Sequence, residues 1–192
     1  MANICEMKMV FFSEKNQKGL EELHLMLEKA LKEHEGRFTS VLDEKVYSGV
    51  SMRGYFTHIS ELEPDRFSAG AETAWSPQYD YLETLCSVYG VEFASSSDEP
   101  DSNTFEIYGD MEGDYFTHTF SIDIWGNDGT KEEEAPVIKA SNEFFDTEQE
   151  MLDWLNSEEH YGTLFQADSW EDWELFFDRY EAGHIRCWTR IS

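Results

Sequence analysis

Residues 4–12 form an apolar run that stops at Ser13, and they read as a first strand. From Leu20 to His34 the apolar positions Leu20, Leu23, Leu27, Ala30 and Leu31 follow helical spacing. Glu21, Glu22, Glu28, Lys29 and Lys32 take the other face, and Gly36 stands where a C-cap is expected. Residues 46–59 alternate weakly, with Gly49 and Gly54 marking a bulge or bend. A further strand is predicted over Phe67–Ala74. Pro77 opens a second helix whose buried stripe is Leu82, Leu85, Cys86 and Tyr89, and Gly90 ends it.

Val91–Ala94 and Thr104–Tyr108 read as two strands joined by a polar, acidic loop, Ser95–Asn103. Residues 115–125 alternate most clearly: Phe116, His118, Phe120, Ile122 and Ile124 share one face, and Thr117, Thr119, Ser121 and Asp123 the other. Gly126–Glu134 reads as a loop. Thr147 with Glu150, and Ser169 with Asp172, are capping-box pairs. They open a helix with Met151, Trp154 and Leu155 inside, and a last one carrying Trp173, Phe176, Phe177 and Tyr180. Residues 184–191 are expected to close with a strand. The order predicts an α+β chain, an antiparallel sheet with helices on one face. It predicts a core over residues 1–126, with an acidic, aromatic-rich helical extension over 127–192 packed on it.

Composition changes this picture in one respect. The 192 residues include 41 acidic and 14 Lys or Arg, a net charge of −27. Aromatics make up 15%, too many for a disordered acidic chain, so a packed core is expected. The charge excludes direct binding to nucleic acid or to an anionic membrane, both of which need a basic face. Residues 1–96 carry a net of −7 and residues 97–192 a net of −20. Cys5, Cys86 and Cys187 are odd in number and widely spaced, which fits free thiols in a reducing cytoplasm. No signal-like segment is read at the start, and no apolar run has the roughly 18 residues of a spanning helix.

Two short motifs resemble a known family. Met1-Ala2-Asn3-Ile4-Cys5 resembles the M-x-N-W-C opening of the Api92-like, or YubB-type, phage- and plasmid-borne proteins, with Ile4 in place of the tryptophan. Glu72-Thr73-Ala74-Trp75-Ser76-Pro77 resembles their T-x-W-x-P, which precedes the second helix. The resemblance covers roughly residues 1–126. It implies a ferredoxin-like fold and a mobile-element origin, and no particular chemistry.

Several clusters admit more than one reading. Tyr-Phe-Thr-His occurs at 55–58 and again at 115–118. His58 and His118 either converge as a metal or acid–base pair or lie on the inward face as satisfied core residues. Asp110, Glu112 and Asp114 offer three oxygen donors to a divalent cation, or simply form an acidic hairpin turn. Asp98, Glu99 and Asp101 flank Pro100 in what reads as a solvated loop. The common nucleophile, phosphate-loop and zinc signatures are missing. On the last helix Glu171, Asp172 and Glu174 accompany aromatic anchors, as in a surface aimed at a basic partner.

Three functions follow from different classes. The favoured one is a non-catalytic, cofactor-free protein that binds and inhibits a basic nucleic-acid-binding partner by mimicking DNA, as anti-restriction or anti-CRISPR inhibitors of mobile elements do. Duplex DNA carries one charge per about 1.7 Å, so twenty charges match about ten base pairs. Its predicted contact residues are Asp98, Glu99, Asp101, Asp110, Glu112, Asp114, Glu132, Glu133, Glu134, Glu171, Asp172 and Glu174. The others are an accessory or scaffold protein, and a metal-dependent enzyme using the carboxylates or the two histidines.

Overall fold

The computed structural model describes residues 3–99, 104–126 and 136–192. The first strand, β1 (Ile4–Phe12), alternates along its whole length and turns Cys5, Met7, Met9 and Phe11 inward. It pairs antiparallel with β3 (Arg66–Ala74) on one side and β4 (Glu92–Glu99) on the other. Outside these lie β2 (Gly54–Ile59), antiparallel to β3, and β5 (Thr104–Tyr108), antiparallel to β4. With β9 (Thr189–Ile191) the six-stranded order is β2-β3-β1-β4-β5-β9.

Two helices, α1 (Gln17–His34) and α2 (Tyr79–Tyr89), cover the face carrying Met7, Met9, Phe67 and Ala71. Leu20, Leu23 and Leu27 of α1 and Tyr81, Leu82 and Leu85 of α2 complete that core. Asn16 joins the helices: its Oδ1 accepts from Gly19 N at 3.1 Å, and its Nδ2 donates to Tyr89 O at 2.8 Å. Gly19 is required there, because a Cβ would stand 2.1 Å from Tyr89 O. The left-handed exit of α1 begins at Glu35 (φ 54°) and continues through Gly36 (φ 72°). Gly90 ends α2 in the same conformation.

A second sheet has the order β7-β6-β8, from β6 (Phe120–Ile124), β7 (Ser141–Phe145) and β8 (Gly183–Cys187). It shares one apolar core with α3 (Glu148–Leu155) and α4 (Trp170–Arg179), built on Ile122, Ile185, Met151, Leu155, Trp173 and Phe177. Thr147 Oγ1 accepts from Glu150 N, and Ser169 Oγ from Asp172 N, as the capping pairs predict. Glu150 reaches back to Asp146 N rather than to the cap residue itself.

The chain divides into two compact units, residues 1–115 with 190–192, and residues 116–189. The sequence places the change at residue 126. The α+β class stands, but four elements differ from expectation. The polar stretch Ser95–Glu99 is strand, not loop: Ser95 and Ser97 occupy buried positions opposite Met9 and Met7, and Glu99 is buried as well. Within 46–59 only Gly54–Ile59 is strand, and its irregularity falls between Phe56 and His58 rather than at a glycine. Of residues 115–125 only Phe120–Ile124 pairs. The C-terminal part is not purely helical, since β7 and β8 flank β6 there.

Candidate functional site

The predicted contact residues do not all lie on a surface. Asp110 is buried, with 4% of its surface exposed. Its carboxylate accepts the N–H groups of Asp114 (2.8 Å) and Tyr115 (3.2 Å) and faces the Arg190 guanidinium at 3.5 Å. Arg190 also donates to the Asp110 carbonyl. Asp110 therefore shapes the turn after β5 from inside, and it is not an exposed contact. A cation already stands against it, which disfavours a divalent ion at Asp110, Glu112 and Asp114. Glu112 and Asp114 are exposed.

Glu99 is also buried, at 1% exposure, on the helix-covered face beside Cys5. It is neither loop nor surface. Asp98 points to the opposite face of β4 and is half-buried. Asp101, Glu132, Glu133 and Glu134 lie outside the described residues.

The histidines overturn the core reading given them. His58 lies on β2 in the first unit and is exposed; His118 lies in the second unit and is exposed, so neither is a core residue. His118 Nδ1 lies 2.5 Å from Asp146 Oδ1, and its ring contacts Phe144. Among the described residues no group of three or more His, Cys, Asp or Glu is placed to hold a metal ion.

A different set of carboxylates gathers in the second unit. Burial first, and then the charges of Glu148 and Glu171, push the Cys187 thiol up. Cys187 ends β8, Glu148 begins α3 and Glu171 sits in the first turn of α4. Phe145, just before α3, and Cys187 both pair with Phe120, and Glu174 of α4 bonds Ile185, so the starts of both helices lie at the Cys187 end of β8. Asp146 and Glu150 adjoin the start of α3, joined by the Asp146 N–H to Glu150 bond at 3.2 Å. Asp172 adjoins Glu171, and its carboxylate accepts from Ser169 Oγ at 3.0 Å. Helix N-termini carry partial positive charge and stabilise anions, which is why so many carboxylates are tolerated together.

Glu174 behaves differently from its neighbours. It is half-buried and its Oε2 accepts the backbone N–H of Ile185. Burial pushes its carboxyl up to about 7 against the lowering effect of that bond. Of the three helix residues predicted as contacts, Glu171 and Asp172 are exposed and Glu174 is turned to the sheet. Sequence reasoning missed Asp146, Glu148 and Glu150. The signal was present: Glu148 and Glu150 occupy the first turn of a capped helix, just as Glu171 and Asp172 do.

Two of the three thiols are buried. Burial pushes Cys5 up to about 11 and Cys86 up to about 12, so both stay protonated. No helix among the described residues is long and apolar enough to cross a membrane. Comparison with protein-family models, with curated proteins and with solved structures gives no match.

Proposed function

We propose that this chain is a non-catalytic binding protein whose acidic second unit engages a basic, nucleic-acid-binding partner and competes with DNA for it. The observation that carries the reading is the register that sets the starts of α3 and α4 at the Cys187 end of β8. It gathers carboxylates of two helices at one end of the unit's apolar core. Residues 116–189 hold 18 acidic and 4 basic residues, a net of −14. The larger first unit carries the remaining −13 on 118 residues, so charge is denser in the second.

By the spacing of one charge per about 1.7 Å, fourteen charges match about 24 Å of duplex, or about seven base pairs. That is shorter than the ten read from the chain halves, because residues 97–115 belong to the first unit. Inhibition of a host defence nuclease is the role that a mobile-element origin would favour.

The first unit is proposed to be ferredoxin-like. Its β2-β3-β1-β4 order, antiparallel throughout, with α1 and α2 on one face, supports that assignment. β5 and β9 extend it beyond four strands.

Affinity purification followed by competition tests the function. The recovered partner is expected to bind duplex DNA, and added duplex is expected to displace it from this chain. A partner that binds DNA and this chain at the same time, without mutual displacement, contradicts the reading.

A further inference from the structure

A hollow of about 520 Å³ in the first unit is lined by Ser48, Gly49, Ser51, Arg53, Trp75 and Gln78, among others. Three features of it have no structural explanation in the packing. Trp75 has φ 76°, a left-handed conformation that bulky side chains rarely adopt. Hydrogen bonds on either side hold it there: Trp75 N–H donates to Asn3 O at 3.0 Å, Ala74 N–H to Arg53 O at 2.9 Å, and Thr73 Oγ1 to Ser76 O at 2.8 Å. The result is an indole 56% exposed beside the hollow, in a chain that buries Trp173 completely. Strain that presents an apolar ring to water stabilises nothing by itself, and such strain clusters at ligand sites.

The second feature is Arg53. It is exposed, and no carboxylate among the described residues forms an ion pair with it, although the chain has 41 acidic residues. Ser48 and Ser51 bring two hydroxyls to the same hollow. The third is Gln78, buried at 8% exposure. Its Nε2 donates to Ser76 O at 3.1 Å, and its Oε1 has no hydrogen-bond partner. Gln78 thus adds a polar wall to the hollow, with its Oε1 closed to solvent.

We propose that this hollow binds a nucleoside monophosphate. The base stacks on Trp75 and the phosphate meets Arg53 with the Ser48 and Ser51 hydroxyls. A stacking ring, a guanidinium and hydroxyls are what a planar ring joined to a phosphate requires. The hollow also falls within the roughly 300–1,000 Å³ usual for small-ligand sites. This site is in the first unit and is independent of the acidic face of the second.

Equilibrium dialysis with adenosine 5′-monophosphate, adenosine and inorganic phosphate tests the proposal. The monophosphate is expected to be retained, with adenosine and phosphate alone each at least tenfold weaker. Arg53→Gln and Trp75→Gly should each weaken retention at least tenfold. Glycine adopts φ 76° freely, so Trp75→Gly removes the ring without threatening the fold. Trp125→Ala, at an exposed tryptophan of the other unit, should change nothing. No retention of the monophosphate, equal retention of phosphate alone, or retention that survives both Arg53→Gln and Trp75→Gly would overturn it.

Discussion

The Glu174 carboxylate of α4 accepts the backbone N–H of Ile185 on β8. Among the described residues β8 is an edge strand of the second sheet, bordered by β6. Trp188 N–H bonds Thr119 O at 2.9 Å, so by antiparallel alternation the Ile185 N–H points away from β6. Glu174 therefore satisfies a donor on that edge, which also blunts the edge against pairing with other chains.

The burial of Glu174 makes stability depend on pH. Burial raises the folded carboxyl from 4.5 to about 7, so the folded state holds the proton more tightly than the unfolded one. This group therefore favours folding below pH 4.5, and its contribution is lost as pH rises to about 7. Glu174→Gln keeps an acceptor and removes the titration. The variant's stability relative to the parent should grow between pH 4.5 and about 7 and then stay level, as read by urea unfolding at several pH values. A difference that does not change with pH would show that Glu174 is not held as described.

Asp110 and Arg190 form the second test. Asp110 is 2% exposed at its side chain and Arg190 20%, and the aspartate also holds two backbone donors. Asp110→Ala should cost about 3 kcal/mol, because it leaves two backbone N–H groups unmet and removes the carboxylate facing a largely buried guanidinium. Glu112→Ala and Asp114→Ala, at exposed carboxylates of the same loop, should stay within about 0.5 kcal/mol. Urea unfolding separates the two outcomes.

Much of this architecture was legible in the chain. β1 and β3 announce themselves because their buried positions are apolar, and α1, α3 and α4 because their stripes and caps agree. β4 is hidden because Ser95, Ser97 and Glu99 fill buried positions with polar groups. Ser97, for example, is satisfied by Tyr79 Oη at 3.0 Å. β7 is hidden because Ser141–Phe145 leaves most of its side chains exposed and shows no alternation. The site was legible only in part. Net charge does not say which carboxylates turn inward, and Asp110, Glu99 and Glu174 do. The turn chemistry Gly109-Asp110 with Gly113, both glycines at positive φ, is the signal that could have marked Asp110 as structural.

The geometry of the acidic site can be tested without a partner. Glu148 and Glu171 both act on Cys187, so Glu148→Gln with Glu171→Gln should lower the thiol's pKa and speed its alkylation by iodoacetamide at pH 8. Cys5 and Cys86 are buried and should stay silent in the folded protein. An unchanged alkylation rate at Cys187 would mean that the two helix starts do not meet there.

The second unit's negative charge is what a partner is proposed to recognise. Exposed carboxylates are individually worth little, so single neutralisations should change affinity less than about threefold. Together, Glu148→Gln, Glu171→Gln and Asp172→Asn should weaken binding at least tenfold.

The most direct measurement is the partner's affinity for the parent chain and this triple variant between 50 and 200 mM salt. The parent should lose at least tenfold across that range and the variant distinctly less, because fewer charges remain to be screened. Affinity that is flat with salt in the parent, or that falls equally in both proteins, would contradict the claim that these carboxylates are the binding surface.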